Sequence, residues 1–331
     1  MERSLSARVA AGLRTAASAG ARVVARMVAT IAGASLFVFV LLEVSIPGGY
    51  RATLLTPGDN RSTRARRLIQ EYHLDDNVFV RYLRWLGDAM RGDFGRSSLS
   101  GDSVSDLITH RLSISMELML VAVALTLLIG IPLGLLSVAW AERTAGKLLS
   151  VFFGVAQSIP IYVTPIFLTA FFAVRLRWLP ASGWTRISDS LVGNIENLVL
   201  PLTALVLAEV GIVARIVRSD VLRVMGNEYI VAARGKGLST RYVLTRHALR
   251  PASIGLLNLI GLNIGSLLTG ALIVETIFGI GGLGQVLLES SLNRDLYVLL
   301  GVTSYSVVVY VLFNAIVDAL LLLLDPRISS K

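Results

Sequence analysis

The chain alternates long apolar runs with short polar ones. Six apolar runs, at 27–46, 112–140, 148–174, 198–217, 254–273 and 298–324, reach the roughly 20 residues that a helix needs to cross a bilayer. Pro132 falls inside the second run, and Pro160 and Pro165 inside the third, so these helices are expected to kink where a proline removes a backbone donor. Gly130 with Gly134, and Gly261 with Gly265, form small-xxx-small pairs that let helices approach closely. The segment 274–290, VETIFGIGGLGQVLLES, is apolar but too rich in glycine to be a span. Between the first and second runs, residues 47–111 are polar. Within them, Val80, Leu83, Trp85, Leu86 and Met90 give residues 77–92 the pattern of a short amphipathic helix. That helix either lies at the outer membrane surface or covers a small folded subdomain. The pattern therefore predicts an all-α, polytopic membrane protein of six transmembrane helices, with a folded extracytoplasmic segment between spans one and two.

The most basic short segment lies between the fourth and fifth runs. It is Gly226–Pro251, GNEYIVAARGKGLSTRYVLTRHALRP. Arg234, Lys236, Arg241, Arg246, His247 and Arg250 stand there against one acid, Glu228. Tyr229, Ala232 and Ala233 share one helical face by their i, i+3, i+4 spacing. Gly235 and Gly237 then break the helix, because glycine is costly inside one and favourable at a left-handed stop. Ser239 caps a second short helix, with Tyr242, Thr245 and Leu249 on one side, and Pro251 closes it. The segment thus predicts two short helices joined by an elbow.

Composition supports the membrane reading. The chain has 331 residues, 54% of them hydrophobic, and a mean hydropathy of +0.70. It has no cysteine, which excludes a disulfide framework and a thiolate metal site. The formal charge of +9 does not imply nucleic acid, since no basic module is separable from the spans. The charge instead sets orientation. Arg3, Arg8, Arg14, Arg22 and Arg26 precede the first run, Arg143 and Lys147 follow the second, the 218–250 loop is basic, and Arg327 and Lys331 end the chain. The shorter opposite loops carry only Arg175, Arg177, Arg186 and Arg294. The positive-inside rule then puts 218–250 and both termini in the cytoplasm. The first run is too long for a signal peptide and lacks a small-residue cleavage site, so it is expected to be a span.

The sequence offers no covalent chemistry. Gly146-Lys147 and Gly235-Lys236 lack the rest of a phosphate loop. His73, His110 and His247 are far apart and form no metal-ligand pair. No nucleophile, base and orienting acid come together. Neither a metal nor a cofactor is expected, and energy for any uphill transport would come from outside the chain.

Several strings resemble a known family. EYIVAARGKGLSTRYVLTRHALRP is similar to the cytoplasmic loop of bacterial ABC-importer permeases, closest to the dipeptide/oligopeptide/nickel branch, where the pattern is roughly D-Y-V-R-T-A-R-A-K-G-L followed by a basic helix. In the wider class the pattern is Glu-Ala-Ala, three residues, then Gly. Here Ala232, Ala233 and Gly237 match it, Val231 replaces the glutamate, and Pro251 stands one place beyond the expected proline. YLRWLGDAMRGDFGRS, RLSISMELMLVAVALTLLIGIPLGLLS, WLPASG, VETIFGIGGLG and the DPRI of the tail resemble the same branch, over roughly residues 77–328 with gaps.

The resemblance implies one permease subunit of an ABC importer. Its partners would be a second homologous permease, two cytoplasmic ATPase subunits, an extracytoplasmic substrate-binding protein and the lipid bilayer. Glu228, Tyr229, Ala232, Ala233, Arg234, Lys236, Gly237 and Leu238 would form a coupling helix against the ATPase. Substrates would be peptides or related small solutes, metal chelates included, and ATP hydrolysis would sit in the partners. Read from spacing alone, the loop is equally an ordinary basic loop that only sets topology. A secondary transporter or channel is the rival class, although no internal repeat is visible; a membrane-anchored receptor or scaffold is disfavoured, because so little of the chain lies outside the spans.

Four acids lie in or near spans: Glu43, Glu117, Glu209 and Asp318. Glu43 and Glu117, near the outer interface, are expected to pair or snorkel. Asn314 and Asp318 are read as interhelical hydrogen-bonding groups. Glu209 lies at mid-span, where a carboxylate must be paired, protonated or wet. It is the candidate for a translocation path, with Asn258 and Asn263 as neighbours, or else for a structural hydrogen bond to them.

Overall fold

A computed structural model describes residues 24–25, 28–41, 43–44, 69–70 and 72–324. The expected N-terminal segment, most of 47–71 and the tail 325–331 lie outside them. The described residues are helical, with a single isolated β-bridge between Arg96 and Ser103. In chain order the helices are α1 (Val28–Leu41), α2 (Val78–Ala89), α3 (Val104–Ala139), α4 (Thr144–Ser158), α5 (Val163–Leu168), α6 (Leu191–Met225), α7 (Glu228–Gly235), α8 (Thr240–Tyr242), α9 (Leu249–Phe278), α10 (Leu283–Leu292) and α11 (Leu296–Leu324).

Among the described residues, three helices are long and apolar enough to cross a membrane: α3, α6 and most of α11. Two bent pairs would raise the total to five. In one, α4 meets α5 and its continuation to Arg175 at 98°; in the other, the C-terminal half of α9 meets α10 at 76°. The expected third span is therefore a broken one. The break falls at Ile159–Tyr162, where Pro160 ends regular hydrogen bonding, and π-helical turns follow over Thr169–Arg175. Other boundaries also move outwards. The second helix starts at Val104 instead of 112, the fourth covers 191–225 and the fifth 249–278. Apolar runs mark only the part in hydrocarbon. A helix of 36 residues is about 54 Å long and outruns a core of about 30 Å. Within 274–290 the chain is mostly helical, with a tight break at Gly279 and Gly281, both at positive φ (57° and 79°).

The described residues form two compact units, one within 1–110 and 286–315, the other within 111–285 and 316–331. In the first, α2 docks on α1 through one face. The Tyr82 hydroxyl donates to the Ala32 carbonyl at 2.7 Å, and Arg81 pairs with Glu43 at 2.5 Å with its guanidinium over the Phe39 ring. Asn77 caps α2 by accepting from the Phe79 N–H. Residues 93–103 fold against the start of α11: Ser97 donates to Asp295 at 2.6 Å, and a Cβ on Gly301 would meet Val104 at 2.5 Å. The amphipathic stretch is a helix that buries Tyr82 and Trp85 within this unit and leaves Phe79, Leu83 and Met90 exposed.

The second unit is built on glycine contacts. A Cβ on Gly134 of α3 would sit 2.7 Å from Val217 Cβ and 2.8 Å from the Ala214 carbonyl of α6, and one on Gly130 would meet Val213 at 2.9 Å. The expected close-packing face is therefore real. Gly211 of α6 does the same against α4, 3.0 Å from the Phe153 carbonyl. Val138, Val213, Val217, Val221, Ala252 and Leu256 complete the core that joins α3, α6 and α9.

Candidate functional site

The elbow folds because a small apolar cluster holds it. α7 follows α6 after Asn227. Ile230 and Ala233 of α7 pack on Val243, with Val224 and Met225 beside them. Gly237 turns the chain at φ 78°, and Ser239 caps α8 by accepting from the Tyr242 N–H at 3.4 Å. Glu228, Tyr229, Val231, Ala232, Arg234, Lys236, Gly237 and Leu238 are exposed. The expected shared face of Tyr229, Ala232 and Ala233 is divided: Ala233 is only 8% exposed and faces the elbow's own core. The i+4 neighbour turned inwards because Ile230, three residues before Ala233, is the apolar anchor that spacing from Tyr229 overlooked.

Pro251 does not close the second helix. π-helical turns over Val243–Ala248 lead straight into α9, which contains Pro251. The wider turns there sit next to a proline that offers no donor to the preceding turn. α8, these turns and α9 therefore run on as one unbroken helix.

Midway along α6, Glu209 is 6% exposed. It lines a cavity of about 30 Å³ together with Thr126 of α3, Asn263 of α9 and apolar residues that include Val123, Ile216 and Leu256. Among the described residues Glu209 forms no ion pair, and Arg215 is exposed. The Thr126 hydroxyl, which the sequence did not single out, is buried without a hydrogen-bond partner among the described residues. Nothing in a lone threonine within an apolar run signals such a role. Glu209 and Asn263 line the same cavity, and the Asn258 side chain lies outside the described set.

At the other end of α9, three strings singled out by sequence converge. Gly183 of WLPASG donates to the Phe278 carbonyl at 3.1 Å, and Arg111 of α3 donates to the Gly281 carbonyl at 2.8 Å. Ser115 accepts from the Leu283 N–H at 2.9 Å, and Glu275 accepts from the Gly284 N–H at 2.7 Å. Glu275 is fully buried and was not among the four acids read from sequence, because it stood outside an expected span. Glu43 pairs with Arg81, and Glu117 accepts from Asn194 at 3.1 Å, as interface acids should. The Asn314 amide donates to the Tyr310 carbonyl of its own helix at 2.9 Å. The Asp318 side chain is outside the described set.

The second unit is tightly packed, with a broken helix pair and an exposed elbow between α6 and α9. The fold matches the MetNI methionine ABC transporter in inward-facing crystal forms, with TM-scores of 0.56 and 0.52 at 18% identity, covering 66% of this chain and 96% of that one. The sequence then specifies the family. Residues 130–330 match the model of the binding-protein-dependent transport system inner membrane component, and the chain belongs to that family. Its relatives include a probable peptide ABC transporter permease of Sinorhizobium fredii, 31% identical over 93% of this chain and 99% of that one. The oligopeptide transport system permease AppB of Bacillus subtilis is 34% identical over 90% and 94%. The dipeptide permease DppB of the same organism is 34% identical over 92% and 95%.

Proposed function

We propose that this chain is the permease subunit of an ATP-driven peptide importer and forms half of its translocation path. The observation that carries the reading is the elbow, exposed and basic, which joins two of the three helices that line the Glu209 cavity. It is supported by relatives named as peptide permeases over nearly the whole chain. The chain has six spans with both termini cytoplasmic. It pairs with a second permease and two ATPase subunits, and it receives solute from a binding protein. Tyr229, Val231 and Ala232 present the coupling surface, with Glu228, Arg234, Lys236 and Leu238 around them and Gly237 setting the turn. Ala233 acts from beneath by holding the elbow. Substrates extend to metal chelates of similar size and charge.

Glu209, Thr126 and Asn263 mark the path. A cavity of about 30 Å³ holds one or two waters, so passage of a solute requires α6 and α9 to part. Vesicles containing this chain, its partner permease and the ATPases should accumulate a labelled tripeptide only with ATP and binding protein. Accumulation without the ATPases would replace this reading with a secondary transporter. In the same vesicles Glu209→Gln should slow uptake of lysine-containing peptides more than of neutral ones, while assembly stays normal. Equal rates would leave Glu209 a structural group.

A further inference from the structure

The first unit holds a crevice that the transport cycle described above does not use. Its volume is about 560 Å³, within the usual range of small-ligand sites. Its floor is aromatic: Tyr72, Trp85 and Tyr297 line it, each less than a tenth exposed, with the rings of Tyr72 and Tyr297 5.1 Å apart. The shape depends on glycine. Gly92 and Gly95 turn the chain at φ 90° and 89°, and a Cβ on Gly95 would reach within 2.8 Å of the Tyr297 ring. The floor is braced from below, where Trp85 donates to the Phe94 carbonyl and Tyr72 to the Ser97 carbonyl.

The walls carry both signs of charge. Arg84, Arg91 and Arg96 line the crevice beside Asp88 and Asp93. Arg91 and Asp88 meet at 3.6 Å, but their side chains are 82% and 57% exposed, so this pair is weakly held and open to exchange with a ligand. Arg81, which lines the same crevice at 3% exposure, keeps a buried Nε–H without an acceptor among the described residues. An unsatisfied guanidinium donor is costly and favours a carboxylate oxygen or a water nearby.

We propose that this crevice is a binding site for a short zwitterionic peptide, distinct from the Glu209 cavity. Arg91 takes the terminal carboxylate, Asp88 takes the terminal ammonium, and the aromatic floor takes a side chain, while Arg84 stays paired with Asp76 and Arg81 with Glu43. A phosphate or a lipid headgroup phosphate fits less well, because Asp88 and Asp93 stand among the arginines. The proposal rests on the peptide reading for its substrate class, but its test does not depend on transport. The purified full-length chain would be titrated calorimetrically with trialanine, with its N-acetylated, C-amidated form, and with inorganic phosphate. Trialanine should bind at least about tenfold more tightly than the capped form, the worth of one charge-assisted hydrogen bond. Arg91→Gln and Asp88→Asn, both at exposed positions, should each weaken trialanine by a similar factor and leave the capped form unaffected. Equal binding of free and capped peptide, indifference to both substitutions, or displacement of trialanine by phosphate would each overturn the proposal. Peptide uptake by vesicles with no binding at the crevice would overturn it while sparing the importer reading; binding without uptake would do the reverse.

Discussion

The elbow makes opposite predictions for two adjacent alanines. Ala233 lies against Ile230 and Val243, both fully buried, whereas Ala232 faces outwards. Burying two such side chains contributes roughly 3–6 kcal/mol to closing the elbow. Ala233→Asp puts a carboxylate into that cluster, at a cost of several kcal/mol if it stays there unpaired. The two magnitudes are comparable, so the elbow should open. A loss of about 3 kcal/mol raises the open population roughly 100-fold. Arg234 and Lys236 flank the site, so trypsin reads the opening directly when it cuts only the open form. Cleavage after these residues in the purified chain should rise by about two orders of magnitude for Ala233→Asp. Ala232→Asp should leave cleavage near the wild-type rate yet abolish ATP-driven uptake, because its charge stands on the surface offered to the ATPase. Equal cleavage rates for the two variants would refute the inward placement of Ala233. Normal uptake by an assembled Ala232→Asp complex would refute the coupling surface.

Two further outcomes are expected. Gly134→Val should lower the thermal midpoint in detergent by several degrees, since the added Cβ meets Val217 and the Ala214 carbonyl and overpacking costs roughly 1–3 kcal/mol; Gly154→Ala, with open space around it, should not. The chain has no cysteine, so single cysteines at Ser98 and Ser239 report orientation: an impermeant thiol reagent on intact cells should label the first and spare the second, and the reverse would invert the topology.

The helical class and the elbow were legible because both rest on local signals. Apolar length marks the helices, and Gly237 and Ser239 punctuate the loop at the positions where the structure turns and caps. What escaped was set by partners distant in sequence. Ala233 turned inwards because Val243 lies across the elbow, a relation that spacing along one helix does not contain. Pro251 read as a stop, yet the preceding π turns carry the helix past it. Thr126 and Asn263 meet Glu209 only through the packing of three helices, and Glu275 gained its role from a turn whose glycines drew attention away from it. The bend of 98° after α4 had its proline in view, but no sequence rule sets the angle.

The elbow is also a matter of leverage. From Glu209 to the end of α6 is about 24 Å, and from the start of α9 to Asn263 about 21 Å, at 1.5 Å per residue. The two arms are nearly equal. A thrust on the elbow along the helix axes would carry the α6 and α9 walls of the cavity the same distance and leave the gap between those two unchanged. Only a sideways or twisting load, applied unequally to the two arms, would separate them. The basic, outward face of the elbow is thus better suited to being rolled than to being pushed.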